Sequence, residues 1–154
     1  MHQGIERIEA FSVLGVVIRV TQGSETSELF SGIWEEFEHH GQWIESVSTG
    51  KQYYGVNFPT EAEHVSDYLA GMRIADDIPE TGGLVKRRVP GGNYAIFECP
   101  VEGIGECYQQ IFSVWLPSAR VCFVPEYPVF EEYPEKGSSL PVRIYVPVNK
   151  KDKP

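Results

Sequence analysis

The sequence predicts an α+β domain: a tandem strand–helix–strand–strand repeat with pseudo-twofold symmetry. Its antiparallel sheet is expected to carry two helices on one face and a ligand groove on the other. Three observations predict it. The same order of elements is read twice along 154 residues. Each copy holds one helical stripe of large apolar side chains, and advancing the first stripe (Phe30, Ile33, Trp34, Phe37) lays it on the second (Tyr108, Ile111, Phe112, Trp115). Short runs rich in β-branched and aromatic residues surround both stripes, punctuated by glycine and proline.

The first module opens on the strand-like run 13–20, followed by a polar loop at 23–27. In the first helix Glu35, Glu36 and Glu38 fall mostly opposite the apolar stripe, and Gly41 is the expected stop. Strands are expected at 53–58, ended by Pro59, and at 68–74. Residues 78–83 form the hinge between modules. The second module opens on strand segments 84–89 and 93–99, separated by Pro90-Gly91-Gly92, a bulge or tight bend within one long strand. Its helix is stopped by Pro117, and strands 129–133 and 142–148 complete it. The chain therefore reads as one domain, 1–148, with modules at about 5–76 and 83–148 and a charged tail at 149–154.

Composition narrows the function classes. Hydrophobic residues at 42% and charged residues at 23% describe a globular chain. A net charge of -9 opposes nucleic-acid binding, which draws on neutralised phosphates. The basic runs Lys86-Arg87-Arg88 and Lys150-Lys151-Asp152-Lys153 lack the interleaved aromatics of a nucleic-acid surface and read as solvated charge. No run approaches the roughly 20 apolar residues of a membrane helix, and the start of the chain carries no secretory pattern. The three cysteines, Cys99, Cys107 and Cys122, are odd in number and show no metal-ligand spacing, which suits a reducing cytoplasm. His39 and His40 diverge on a helix and His64 has no ligand at suitable spacing, so no metal is expected. Without a phosphate loop, dinucleotide fingerprint or nucleophile elbow, no cofactor is expected either.

Six ordered pieces carry a family resemblance. They are Tyr54-Gly55-Val56, Tyr68-Leu69-Ala70-Gly71, the stretch from Val89-Pro90-Gly91-Gly92-Asn93-Tyr94 through Ala95-Ile96-Phe97, then Trp115-Leu116-Pro117, Phe130-Glu131-Glu132-Tyr133 and Ile144-Tyr145-Val146-Pro147-Val148. In this order, over about residues 5–148, the sequence resembles the GyrI-like small-molecule-binding family. That family includes the effector-binding domains of AraC-type and MerR-type multidrug regulators and free-standing gyrase-inhibitor-like proteins. The resemblance implies the same tandem fold. Regulators of this family carry a helix-turn-helix before the domain, whereas this sequence starts almost at the first strand, so a stand-alone member without direct DNA binding is expected. It also implies that Glu131, at the position of a strand glutamate in drug-binding members, meets a ligand cation among aromatic rings.

Strand parity proposes the remaining walls. Val129, Glu131 and Tyr133 share one side of their strand and Phe130 and Glu132 the other; Phe130 is expected under the helices, with Glu131 and Tyr133 facing the groove. Tyr54, Val56 and Phe58 share a face. Ile144 and Val146 suit the helix-covered side, which leaves Tyr145 for the groove. Tyr94 and Ile96 alternate with Ala95 and Phe97, and the sequence does not decide which pair lines it. Trp34 and Trp115 sit on the core stripes, while Trp43, beyond the helix break, would cap one end of the groove.

The ligand-binding residues expected are thus Glu131, Tyr54, Tyr133, Tyr145, Tyr94 and Phe58. The expected partner is an amphipathic, cationic small molecule held in an aromatic, acidic groove, as in a sensor or drug-sequestering protein. Two alternatives stand beside this reading. One, implied by the resemblance, is a hydrolase of cyclopropane-bearing cytotoxins, with Glu131 as general base or orienting carboxylate and a tyrosine such as Tyr54 or Tyr145 donating to the leaving oxygen. The other is a gyrase-inhibitor-like interaction protein with an acidic, DNA-mimicking surface. Binding is preferred to catalysis because no second catalytic group is visible.

Overall fold

The computed structural model describes residues 2–21 and 27–150. Its elements run β1 (His2–Ile8), β2 (Phe11–Thr21), α1 (Ser27–Val47), β3 (Ser48–Pro59), β4 (Val65–Ile74), β5 (Val85–Val89) and β6 (Gly92–Cys99). Then follow α2 (Ile104–Gln110), β7 (Val121–Phe123), β8 (Val129–Tyr133) and β9 (Val142–Lys150). After α2 the chain winds through a π-helical stretch, Ile111–Trp115, into a last turn, Leu116–Ser118, where Pro117 ends it. Of the expected polar loop, residues 23–26 lie outside the described residues, as do residues 151–154 of the tail; Asn149 and Lys150 extend β9.

All paired strands are antiparallel, in the order β1-β6-β9-β8-β3-β4-β2-β5, with β7 added on β9. Read from the β8–β3 junction outward, the two halves repeat one another: β8, β9, β6, β1 on one side and β3, β4, β2, β5 on the other. This is the expected tandem α+β repeat. The pair Gly55↔Glu131 stands at the middle of the β3–β8 ladder, where the modules meet.

The two cornering strands give the sheet its curl. β1 continues into β2, and β5 into β6, yet the partners of each pair lie at opposite ends of the sheet. The Pro90-Gly91-Gly92 bend is therefore a corner that carries the chain across the gap. A Cβ on Gly91 would stand 3.0 Å from the Ala10 nitrogen and 3.1 Å from the Ile8 oxygen, so the two corners cross in contact and a side chain there would have to push the facing backbone back by a few tenths of an ångström. The sequence pattern did not reveal β1. As an edge strand it leaves Ile5 46% exposed beside Glu6 and Arg7, and buries no clean period-2 face.

Three side-chain clusters follow from the curl. α1 covers one half of the sheet through Ile33, Phe37 and Ile44 against Leu14, Val16, Tyr68 and Met72. The second helical segment covers the other half through Cys107 and Ile111 against Ala95, Phe97, Ile144 and Val146. α1 runs past Gly41 because Ile44 continues the stripe and is fully buried. Burying that side chain, about 1.5–3 kcal/mol, outweighs the roughly 1 kcal/mol cost of an internal glycine.

The third cluster corrects the expected placement of the groove. On the face away from the helices, Phe11, Tyr54, Val56, Phe58, Tyr94, Ile96, Phe130 and Tyr145 form a closed core. Phe130, expected under the helices, stacks on Tyr145 there at 4.4 Å with the rings 9° from parallel, and Tyr94 meets its edge at 5.4 Å. The crossing of the corners folds this face upon itself, and the pocket beside it, at Phe11, Tyr54 and Glu132, is the smaller one, about 590 Å³. The helices sit on separate halves of the other face, with a cleft between them. Among the described residues no helix is long and apolar enough to cross a membrane.

Candidate functional site

The cleft has a volume of about 1390 Å³. Strand alternation decides its floor. With Tyr54, Val56 and Phe58 turned into the closed core, Tyr53 and Asn57 of β3 point the other way, as do Tyr68 of β4 and Val129, Glu131 and Tyr133 of β8. The walls are helical: Phe30, Trp34 and Phe37 of α1 face Ile104, Tyr108 and Phe112 of the second helical segment. Successive rings meet edge to face, Phe30 with Tyr68 at 4.7 Å and Trp34 with Tyr133 at 5.6 Å, whereas Tyr108 and Phe112 are stacked.

Glu131 lies on this floor and is only 5% exposed. Its carboxylate is held by four donors from four elements. The hydroxyls of Tyr68 (3.1 Å) and Tyr133 (3.0 Å) donate to Oε1; the Tyr108 hydroxyl and the Asn57 amide (3.3 Å) donate to Oε2. Burial pushes the Glu131 carboxyl above the usual glutamate range, and the hydrogen bonds from Tyr108, Tyr133, Tyr68 and Asn57 oppose that rise. The tyrosines respond in kind. Burial and then the charge of Glu131 raise the hydroxyls of Tyr68, Tyr108 and Tyr133, so all three stay protonated donors.

Glu38 of α1 and Lys136 pair at 3.4 Å at one end of the cleft, with the Lys136 ammonium 5.8 Å from the centre of the Tyr53 ring. His64, also on the lining, adopts a left-handed backbone (φ 64°), uncommon for a side chain other than glycine or asparagine.

Of the residues expected in the site, the structure brings Glu131 and Tyr133 into the cleft and puts the other four on the opposite face. There the Tyr54 hydroxyl donates to Glu132 at 2.8 Å, Tyr94 donates to the Pro90 carbonyl at 2.8 Å, Arg87 lies over the Phe58 ring at 5.1 Å, and Tyr145 stacks on Phe130. The parity partners were correctly grouped, but the face that carries Tyr54, Tyr94 and Tyr145 is the one that closes. The pair left undecided divides cleanly: Tyr94 and Ile96 enter the closed core, Ala95 and Phe97 pack under the second helix.

Trp115 packs on Phe97 at 4.9 Å, as its stripe suggested. Trp34, expected in the core, also lines the cleft. Trp43 is 50% exposed and lies outside the cleft lining, so it caps nothing there. Sequence reasoning missed Tyr68, Tyr108 and Asn57 as partners of Glu131. Two signals were present: a tyrosine at the head of an otherwise apolar helical stripe, and an asparagine between Val56 and Phe58 in a buried strand.

The arrangement can hold a bulky, ring-bearing molecule beside a buried carboxylate. Comparison with known proteins agrees with the fold. The family model described as Cass2, integron-associated effector binding protein, matches residues 4–148. No curated protein is significantly similar in sequence. Among solved structures, SAV2435 bound to tetraphenylphosphonium superposes with a TM-score of 0.79 at 14% identity, covering 97% of this chain and 94% of that one. An integron cassette protein from the mobile metagenome of Vibrio cholerae gives 0.69 at 20% identity, covering 96% and 97%. The C-terminal domain of EcmrR gives 0.64 at 15% identity, covering 98% and 99%. The resemblance to GyrI-like effector-binding domains therefore holds.

Proposed function

We propose that this chain, which belongs to the family of integron-associated effector-binding proteins, binds an amphipathic organic cation in the cleft between its helices. The observation that carries this reading is Glu131, a carboxylate buried on the floor of an aromatic cleft with no cationic side chain among its hydrogen-bond partners. A buried charge is costly until an opposite charge meets it. A cation entering from the cleft supplies that charge, and the faces of Trp34, Tyr68, Tyr108 and Tyr133 add roughly 0.5–2 kcal/mol each where they are presented to it.

The apolar walls meet the rest of the ligand, and a volume of about 1390 Å³ suits a molecule of several rings. That SAV2435 takes up tetraphenylphosphonium in the same fold supports the ligand class. Binding is favoured over hydrolysis by the same four hydrogen bonds: a general base needs a lone pair aimed at water, and those of Glu131 are taken.

Calorimetric titration with tetraphenylphosphonium and with neutral triphenylphosphine oxide tests the proposal. Saturable binding of the cation, at least tenfold tighter than the neutral analogue, is expected. Equal affinity for the two would remove the charge from the account.

A further inference from the structure

The hydrogen bonding around Glu131 narrows the ligand class further, on the premise that the cleft binds cations. A carboxylate has two oxygens and about four lone-pair directions. In this protein Tyr68 and Tyr133 occupy Oε1, while Tyr108 and Asn57 occupy Oε2. The donors come from β4, β8, the second helical segment and β3, so the shell is fixed by the fold on every side rather than by one mobile arm. The other acid of the lining, Glu38, is paired with Lys136 at the end of the cleft.

We infer that the cleft discriminates between cations by their donors: quaternary ammonium, phosphonium and ring-delocalised cations are accepted, and alkylammonium or guanidinium cations of the same size are disfavoured. A cation without N–H groups feels the field of Glu131 through space, with all four donors left in place. A protonated amine must place its N–H on an acceptor, and here it has to displace a tyrosine hydroxyl or the Asn57 amide from the carboxylate. The displaced donor is then buried without a partner. The aromatic faces offer no compensation, since they attract either kind of cation.

A one-methyl comparison tests this. Decyldimethylammonium carries one N–H and decyltrimethylammonium none, and both are cationic at pH 7. Burying one extra methyl is itself worth about fourfold. Titrated below their micelle concentrations, the quaternary ion is expected to bind more tightly by on the order of tenfold or more. In Tyr133→Phe, which frees one lone-pair direction on Oε1, the ratio is expected to shrink toward fourfold. A ratio of about fourfold or less in the natural protein, or an unchanged ratio in a folded Tyr133→Phe, would overturn donor selection while leaving cation binding intact. Failure of both ions to bind would overturn the cation reading and this inference together.

Discussion

Gly55 faces Glu131 across the β3–β8 pair, and the Tyr68 hydroxyl that donates to the carboxylate occupies the place where a side chain on residue 55 would stand. A Cβ at Gly55 would lie 1.9 Å from the Tyr68 hydroxyl oxygen and 2.9 Å from Oε1 of Glu131. The missing side chain in β3 makes room for the Tyr68 hydroxyl of its own module and, behind it, for the Glu131 carboxylate of the other. Repetition of a strand–helix–strand–strand unit thus puts one charge at the middle of the sheet, between the two helices.

Gly55→Ala is expected to disturb this arrangement directly. Tyr68 and Glu131 must both move, with an overpacking cost of about 1–3 kcal/mol and loss of ligand affinity. Urea unfolding and titration of the same variant measure the two effects. Unchanged stability with unchanged affinity would show that the tyrosine shell does not depend on this close approach.

Acidification should weaken cation binding. Burial raises the folded-state pKa of Glu131 above the usual glutamate range, so lowering the pH through that raised value neutralises the carboxylate and removes the attraction. The stability of the empty protein moves the opposite way. The contribution of Glu131 is fully present below its unfolded pKa and is lost as pH rises through the folded one. Denaturant unfolding from pH 4 upward, comparing the natural protein with Glu131→Gln, should show the natural protein losing stability relative to the variant as pH rises. A difference independent of pH would contradict the raised pKa.

Trp34 should report ligand entry. It lines the cleft, whereas Trp115 packs beneath the second helix and Trp43 stands in solvent. Saturating ligand is expected to change the intrinsic fluorescence of the natural protein and of Trp115→Phe, and to leave that of Trp34→Phe nearly unaltered. Trp34→Ala should weaken binding by about 0.5–2 kcal/mol, a factor of roughly 2–30. A ligand response that survives in Trp34→Phe would place the ligand elsewhere.

The tyrosines of the closed core should be silent in binding. Tyr145→Phe removes a hydroxyl on the far side of the sheet from Glu131, and its affinity is expected to stay within twofold of the natural protein. Tyr145→Ala should instead cost about 3–5 kcal/mol of stability through loss of its stack on Phe130. A Tyr145→Phe variant that folds normally yet binds tenfold more weakly would contradict the assignment of faces.

Much of this was legible in the sequence, and the exceptions have a common cause. Alternation correctly grouped Glu131 with Tyr133, Tyr54 with Phe58, and Ile144 with Val146, because the pleat fixes which neighbours share a face. It could not say which face closes. That is settled by the two corners, at Ala10 and at Gly91, which meet only once the whole sheet has curled. β1 escaped notice because an edge strand with exposed Ile5 has no buried alternation to display. Tyr108 fits an apolar stripe as well as any core aromatic, and only the position of β8 beneath α2 gives its hydroxyl a carboxylate to reach. Gly55 shows the same limit: its neighbours Tyr54 and Val56 marked the segment, but its purpose appears only opposite Glu131.

The central claim is that the charge of Glu131 holds the cation, and calorimetric titration of tetraphenylphosphonium into the natural protein and Glu131→Gln at pH 7.5 tests it most directly. Glutamine keeps the shape of the side chain and removes its charge, while its amide oxygen still accepts from one pair of the four donors. Affinity is expected to fall by at least tenfold in the variant, with the fold retained by circular dichroism. Equal affinity in a folded Glu131→Gln would contradict the account.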